Sequence, residues 1–335
     1  MPKNDAFILA LAYPDTIVRI SEERIVSYLK YINVGCENYV RAGHAALVLI
    51  DKETGDLDYY DFGRYTCPLG YGRVRGKITD NELDFPLKAK IEDGRINNLN
   101  EILNFLATNP DLTHGEGKLI GSVCDAVNYK KAKDYITQLQ NGNPVRYGAF
   151  IKKASNCSRF VTDTLIASIN DNEKKKRLIK SKRFTPSTIS NVIIANTEHM
   201  IHEVSESGHI TEFTSTLRAE NKRCFLDELK DFEPNLVGNL EPKPVKEMAQ
   251  HAQWLEGIGA GAWFEIYDVN STTEFRFRRI SPYGNIDCDG IYEIDSDGFD
   301  INSSYQFVHY SNCSFFHIEQ NAIRYRFEFT KNYES

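Results

Sequence analysis

Two stretches of this chain share four letters around a cysteine: Ser155-Asn156-Cys157-Ser158 and Ser311-Asn312-Cys313-Ser314. A cysteine attacks only as its thiolate, so the setting of each one decides what it can do. Cys157 follows a strand-like segment and opens SNCSRFVTDTLIASIN, in which Val161, Leu165 and Ile169 recur at helical spacing. With Ser155 as the expected N-cap, the thiol stands at a helix start, where free N–H groups and the helix dipole favour negative charge. The same N–H groups can hold an oxyanion, and that of Cys157 is the expected donor. Cys313 falls in YQFVHYSNCSFFHI, an alternating strand pattern without a helix end, and reads as a small buried side chain. Cys36 is near His44 in sequence but lacks the strand-to-helix setting, and reads as structural.

A thiolate needs a base. Of the eight histidines, His199, His202 and His209 lie in a polar stretch, and His309 and His317 in a region of short strands. His251 sits in a linker and His114 in a glycine-rich turn, whereas His44 opens an apolar strand, His44-Ala45-Ala46-Leu47. That strand and DLDYYDFGRY flank the turn KETG and read as a hairpin. Pairing Asp51 with Asp56 sets Ala46 opposite Asp61, and His44 shares the face of Ala46 because strand side chains alternate. Asp61 is then the nearest acidic neighbour of His44, with Asp58 on the other face; a bulge at Gly63 would bring Tyr60 or Arg64 alongside instead. In GYGRVRG, Arg73 or Arg75 could grip a substrate carboxylate, or be surface arginines on a loop.

RAGHAALVLID and GDLDYYDFGRY, followed by VRYGAF and SNCSRFVTDTL with Cys157 113 residues after His44, resemble the circularly permuted papain-like cysteine hydrolases. These are the permuted branch of the NlpC-type amidases, related to lecithin:retinol acyltransferase. In that branch the histidine strand leads, and the cysteine follows in an Asn-Cys-x-x-Phe setting, here Asn156 to Phe160, after a Tyr-Gly strand, here Tyr147-Gly148. The resemblance covers roughly the first 200 residues. It implies an α+β domain with an antiparallel sheet and a nucleophile helix, Cys157 and His44 as catalytic residues, and a third polar residue beside the histidine. Tyr147 is carried over as a residue lining the substrate site.

Around these residues the chain divides by composition. With 335 residues, two domains are expected: a permuted papain-like domain over 1–204, then a helical linker and β-rich domain over 205–335. Within the first, AFILALA, KLIGSVCDAV, FPLKAKI and VRYGAFI read as strands. Glu22 to Ile32, NLNEILNFLATNP, NYKKAKDYITQLQNGN and FTPSTISNV carry helical patterns. A polar linker containing Pro234, Pro242 and Pro244 precedes alternating runs such as WFEIYDV, EFRFRRI and IRYRFEF.

The net charge of −7 argues against nucleic acid as a partner, and the basic run NEKKKRLIKSKR reads as a solvated helix end. No stretch is long and apolar enough to span a membrane, and no secretory signal is evident, so a cytoplasmic location is expected. Seven scattered cysteines without a CxxC pair disfavour disulfides and zinc. GIGAGAW precedes a strand and lacks the lysine of a phosphate loop, and Asn285-x-Asp287-x-Asp289-Gly290 lacks the twelfth-position glutamate of a calcium loop. No metal or cofactor is expected. The reading is a thiol hydrolase or acyltransferase acting on an amide, ester or thioester of a small molecule, peptide (a muropeptide included) or lipid. A papain-like binding module without activity is the alternative.

Overall fold

The computed structural model describes residues 3–21, 23, 35, 36, 38–230, 232, 244–246 and 248–334. The helical pattern from Glu22 to Ile32 lies outside them apart from Glu23, as do Pro234 and Pro242. The chain packs as two units. The first comprises Met1–Phe62, Phe85–Gly142 and Arg146–Pro234; the second comprises Gly63–Asp84, Asn143–Val145 and Asn235–Ser335. The boundary expected at 204/205 instead falls inside a hairpin of the first unit. There, His202–Val204 pairs with Leu119–Val127 on one side and with Ile210–Glu212 on the other. Ladder hydrogen bonds, which composition does not report, carry this segment into the first unit.

Six strands of the first unit follow the order Leu57–Gly63, His44–Asp51, Ala6–Tyr13, Leu119–Val127, His202–Val204, Ile210–Glu212. Every neighbouring pair among them is antiparallel. Ala6–Tyr13 is central and buried along its whole length, which is why AFILALA is apolar at every position instead of alternating. Helix Cys157–Ser168 packs on strand His44–Asp51, and helix Thr188–Ala195 packs on Ala6–Tyr13 and on Leu119–Val127. Val161 and Leu165 are fully buried, as their helical spacing requires. Helices Leu99–Thr108 and Tyr129–Asn141 also follow the sequence pattern, the latter capped by the Asn128 side chain. The basic run forms helix Asn172–Ser181, with the Asp171 carboxylate accepting from the N–H groups of Glu173 and Lys174.

Three local expectations change. FPLKAKI is not a continuous strand: Lys88 makes an isolated antiparallel bridge with Asp56, and the last residue enters the short strand Ile91–Glu92, paired with Arg95–Ile96. VRYGAFI is a strand only at Val145–Arg146, because the N–H groups that follow turn to a side chain instead of a ladder. The N-cap of the cysteine helix is Asn156, not Ser155: the Asn156 Oδ1 accepts the Arg159 N–H at 2.9 Å.

In the second unit, seven strands run Gln253–Leu255, Ala262–Asp268, Glu274–Ile280, Ile286–Ile294, Ile323–Asn332, Phe315–Gln320, Gln306–Val308. The Gln253 side chain joins the two ends: it accepts the Phe307 N–H at 2.8 Å and donates to the Tyr305 carbonyl at 3.0 Å. The sheet therefore curls into a near-barrel. Aromatic rings fill it, with Phe316 stacked between Phe277 at 4.2 Å and Phe327 at 4.5 Å between centroids. The run YQFVHYSNCSFFHI makes two strands, because Asn312 Oδ1 accepts the N–H groups of Ser314 and Phe315 and breaks the ladder. Cys313 sits in that turn, and burial pushes its thiol pKa well up.

His202 gives the first unit a pH dependence. Its side chain is buried, and neither ring nitrogen has a hydrogen-bond partner among the described residues. Burial lowers its pKa. The unfolded chain, with an ordinary histidine pKa of about 6.5, then binds this proton more readily than the folded chain. Stability from a neutral His202 is present above that pH and is lost as the pH falls below it. Urea unfolding at pH 7 and pH 5 should show a smaller acid-side loss in His202→Leu than in the wild type. An equal loss in both would remove His202 as the cause.

Candidate active site

His44 begins its strand directly opposite Tyr13 on the central strand. The Tyr13 ring lies against the imidazole, with centroids 6.3 Å apart and 26° between planes. Gly43 makes the entry turn at φ +73°, where a Cβ would lie 3.0 Å from the Tyr13 carbonyl oxygen and 3.1 Å from Thr188 Oγ1. The hairpin has the expected register, with Ala46 opposite Asp61. His44 Nε2 consequently lies 3.2 Å from Asp61 Oδ2. Asp61 is fully buried, and the Tyr59 hydroxyl, two residues back on the same face, is 3.3 Å from the same oxygen. That hydroxyl is also 3.1 Å from the Thr113 carbonyl, so its one proton is shared between two acceptors.

Cys157 is the first residue of its helix and is half-buried. Its sulfur meets the His44 side chain, the Ala45 N–H and the Ser158 hydroxyl. Nε2 of His44 faces Asp61, so Nδ1 is the nitrogen left for the thiol. Burial alone would raise the Cys157 pKa, but the hydrogen bond and charge of His44, then the Ala45 N–H and the Ser158 hydroxyl, bring it below the ordinary value. Burial alone would lower the His44 pKa, yet Asp61 and Cys157 raise it to about 9. Near neutral pH these shifts favour a thiolate beside an imidazolium.

The first helical turn is tied down from behind. The Ser158 carbonyl accepts from Asn191 Nδ2 at 2.8 Å and lies 2.7 Å from the Thr162 hydroxyl. That hydroxyl is also 2.7 Å from Asn191 Oδ1. Asn191 is fully buried and belongs to helix Thr188–Ala195, so the helix that covers the central strand also holds the cysteine turn.

Three other residues singled out in the sequence are placed differently. Tyr147 is half-buried, with its ring stacked on Phe62 at 6.2 Å and 11°. Arg73 and Arg75 belong to the second unit. Arg73 donates to both Asp80 oxygens, at 2.6 and 2.7 Å. Arg75 is buried over the Tyr65 ring, 3.8 Å from Glu82. Arg279 joins the same cluster through Asp80, Glu82 and Asp287. Both arginines make these ion pairs inside their own unit, on strand Tyr71–Arg75. Asp287 and Asp289, the calcium-like pair, face Arg279 and Arg276. Among the described residues no group of three or more His, Cys, Asp or Glu could hold a metal ion.

Sequence reasoning missed Tyr13, Tyr59, Ser158 and Asn191. Tyr59 was within reach of the period-two rule that selected Asp61. Nothing local marks Asn191, which lies 33 residues beyond the carbonyl it holds.

Residues 8–174 match the family model described as "Type VI secretion system effector TseH-like". Residues 252–330 match the model described as "DUF6695 C-terminal domain". No curated protein matches this chain. A crystal structure of the type VI secretion system effector TseH is similar at 19% identity and a TM-score of 0.43, over 62% of this chain and 98% of that one.

The geometry sets two expectations. Iodoacetamide labelling of Cys157 should inflect at a lower pH than that of an ordinary thiol. In His44→Ala the inflection should move to about pH 8.5 or above, with labelling at pH 7 at least about tenfold slower. Peptide-mapped rates that coincide in the two proteins would rule out the pair. Asn191→Leu keeps the branched heavy-atom skeleton but removes its polar atoms, which leaves the Ser158 carbonyl and Thr162 hydroxyl short of a partner, and should cost about 1–3 kcal/mol in urea unfolding.

Proposed function

We propose that the first unit is a cysteine hydrolase of the amidase type on a permuted papain-like, NlpC-type fold. The observation that carries this reading is one arrangement: a helix-start thiol against His44, with Asp61 on the other ring nitrogen. The Cys157 thiolate attacks a carbonyl carbon, and the helix-start N–H of Cys157 receives the oxyanion. The His44 imidazolium gives its proton to the departing amine, which leaves an acyl thioester and a neutral imidazole. His44 then takes a proton from water, whose oxygen attacks the thioester and releases a carboxylic acid and the thiolate, which restores the thiolate–imidazolium pair. Asp61 holds the ring orientation through both transfers. Esters and thioesters can follow the same route with an alcohol or thiol leaving.

The favoured substrate is a peptide amide, a muropeptide in particular. Cell-wall peptides are substrates of many members of the family that the sequence resembles. A cytoplasmic location made that target awkward. The match of residues 8–174 to a family of type VI secretion system effectors supports another reading. The chain acts as an effector, carried out of its producer to a target cell, where wall peptides are in reach.

The test is digestion of purified muropeptides followed by mass spectrometry, looking for a new amine and a new carboxylate. Cys157→Ala should lower the rate at least about 10³-fold, with His44→Ala close behind because the two act as a unit. A protein whose Cys157 labels as an activated thiol yet leaves every muropeptide intact would exclude this substrate and turn attention to esters and thioesters. A Cys157 that labels like an ordinary thiol would favour the inactive binding module.

A further inference from the structure

The segment that delivers the chain to Cys157, Gly148–Ser155, is a loop with its own charged supports. Three successive N–H groups converge on one carboxylate: Ala149 and Phe150 at 2.7 Å, and Ile151 at 2.8 Å, all to Glu23. The Ser21 hydroxyl donates to the same carboxylate at 2.5 Å. Glu23 is 6% exposed although it lies 126 positions away in sequence from Ala149. The loop's carbonyls turn to a guanidinium: Arg159 Nη1 donates to Ile151 O at 2.8 Å and to Ala154 O at 2.9 Å. Arg159 belongs to the first turn of the cysteine helix. An anion thus satisfies the loop's donors and a cation satisfies its acceptors, while the loop's ends are tied by Gly148 N–H to Ser155 O at 2.9 Å.

We propose that Glu23 is a positioning residue for the nucleophile, acting through the loop Gly148–Ser155 and Arg159 to fix the helix start that carries Cys157. This inference rests on the reading of Cys157 as the nucleophile. An unsupported loop frees the first turn to fray. The Cys157 sulfur then slips from His44 and the Ala45 N–H, the contacts that stabilise its thiolate. Burial opposes ionisation of Glu23, but hydrogen bonds from Ser21, Ala149, Phe150 and Ile151 outweigh it and lower its pKa, so the carboxylate is charged wherever the site works. A role confined to stability would shift the unfolding temperature and leave the ionisation of Cys157 unchanged.

The experiment is the pH profile of iodoacetamide labelling at Cys157 in the wild type and in Glu23→Ala, Glu23→Gln and Glu23→Asp. Slow labelling of the buried thiols Cys67 and Cys124 reports in the same peptide map that each variant is folded. In Glu23→Ala, labelling of Cys157 at pH 7 should fall about 10- to 100-fold and the inflection should rise towards the free-thiol value. Glu23→Gln, which keeps one acceptor oxygen but no charge, should fall between that and the wild type. Glu23→Asp should recover most of the wild-type rate. Should Glu23→Ala fail the folding control, the Gln variant decides. If the wild-type profile is depressed and a folded Ala or Gln variant keeps it, Glu23 has no positioning role and the nucleophile reading stands. If the wild-type profile is itself that of an ordinary thiol, both readings fall.

Discussion

A charged pair held mostly away from water is the constraint on which the first unit depends. Neither a thiolate nor an imidazolium is stable in a buried position unless each of its polar atoms finds a partner. Here the partners are supplied in full: the Ala45 N–H, the Ser158 hydroxyl and His44 for the sulfur, and the buried Asp61 for the far nitrogen. Asp61 is a second buried charge and needs its own donor, which Tyr59 provides. Each support demands the next. That is why the shell extends to Thr113 behind Tyr59, and to Asn191 behind Ser158.

The same logic explains why rigid elements, and one loop made rigid, surround the pair. His44 and Asp61 come from adjacent strands whose register leaves them no freedom along the sheet. Cys157 comes from a helix start, the least constrained part of a helix, and several side-chain hydrogen bonds hold it there. Asn156 caps the helix, Asn191 grips the carbonyl of its second residue, and Arg159 and Glu23 hold the loop before it. A helix end can bind an anion because its N–H groups are free, and for that same reason it must be held from outside.

The second unit solves a different problem with related means. Its interior is aromatic, and its curl is closed by one glutamine bridging the two edge strands. The segment Gly63–Asp84, which begins two residues after Asp61 in the chain, joins this unit through the ion cluster of Arg73, Asp80 and Arg279. Three arginines there meet Asp80, Glu82 and Asp287, so the charges balance inside the unit. From the sequence Arg73 and Arg75 look like exposed loop cations, although Asp80 lies only seven positions from Arg73; the third arginine, Arg279, is 199 positions from Asp80.

What the sequence determined by itself is what short-range geometry carries. The period of two and the turn KETG set Ala46 opposite Asp61, and a period near 3.6 set Cys157 at the head of a helix. Both follow from the chain's own backbone repeat and need no distant partner. Tertiary structure alone decided the rest: that Arg73 and Arg75 turn inward, that residues 202–234 stay with the first unit, that Asn191 holds the cysteine turn, and that Glu23 supports the loop before it. Arg73 and Arg75 meet Asp80 and Glu82 only seven positions on, whereas the last three depend on polar groups finding partners far along the chain. Such pairings are chosen by which surfaces the folded core brings together, and no local spacing records that choice.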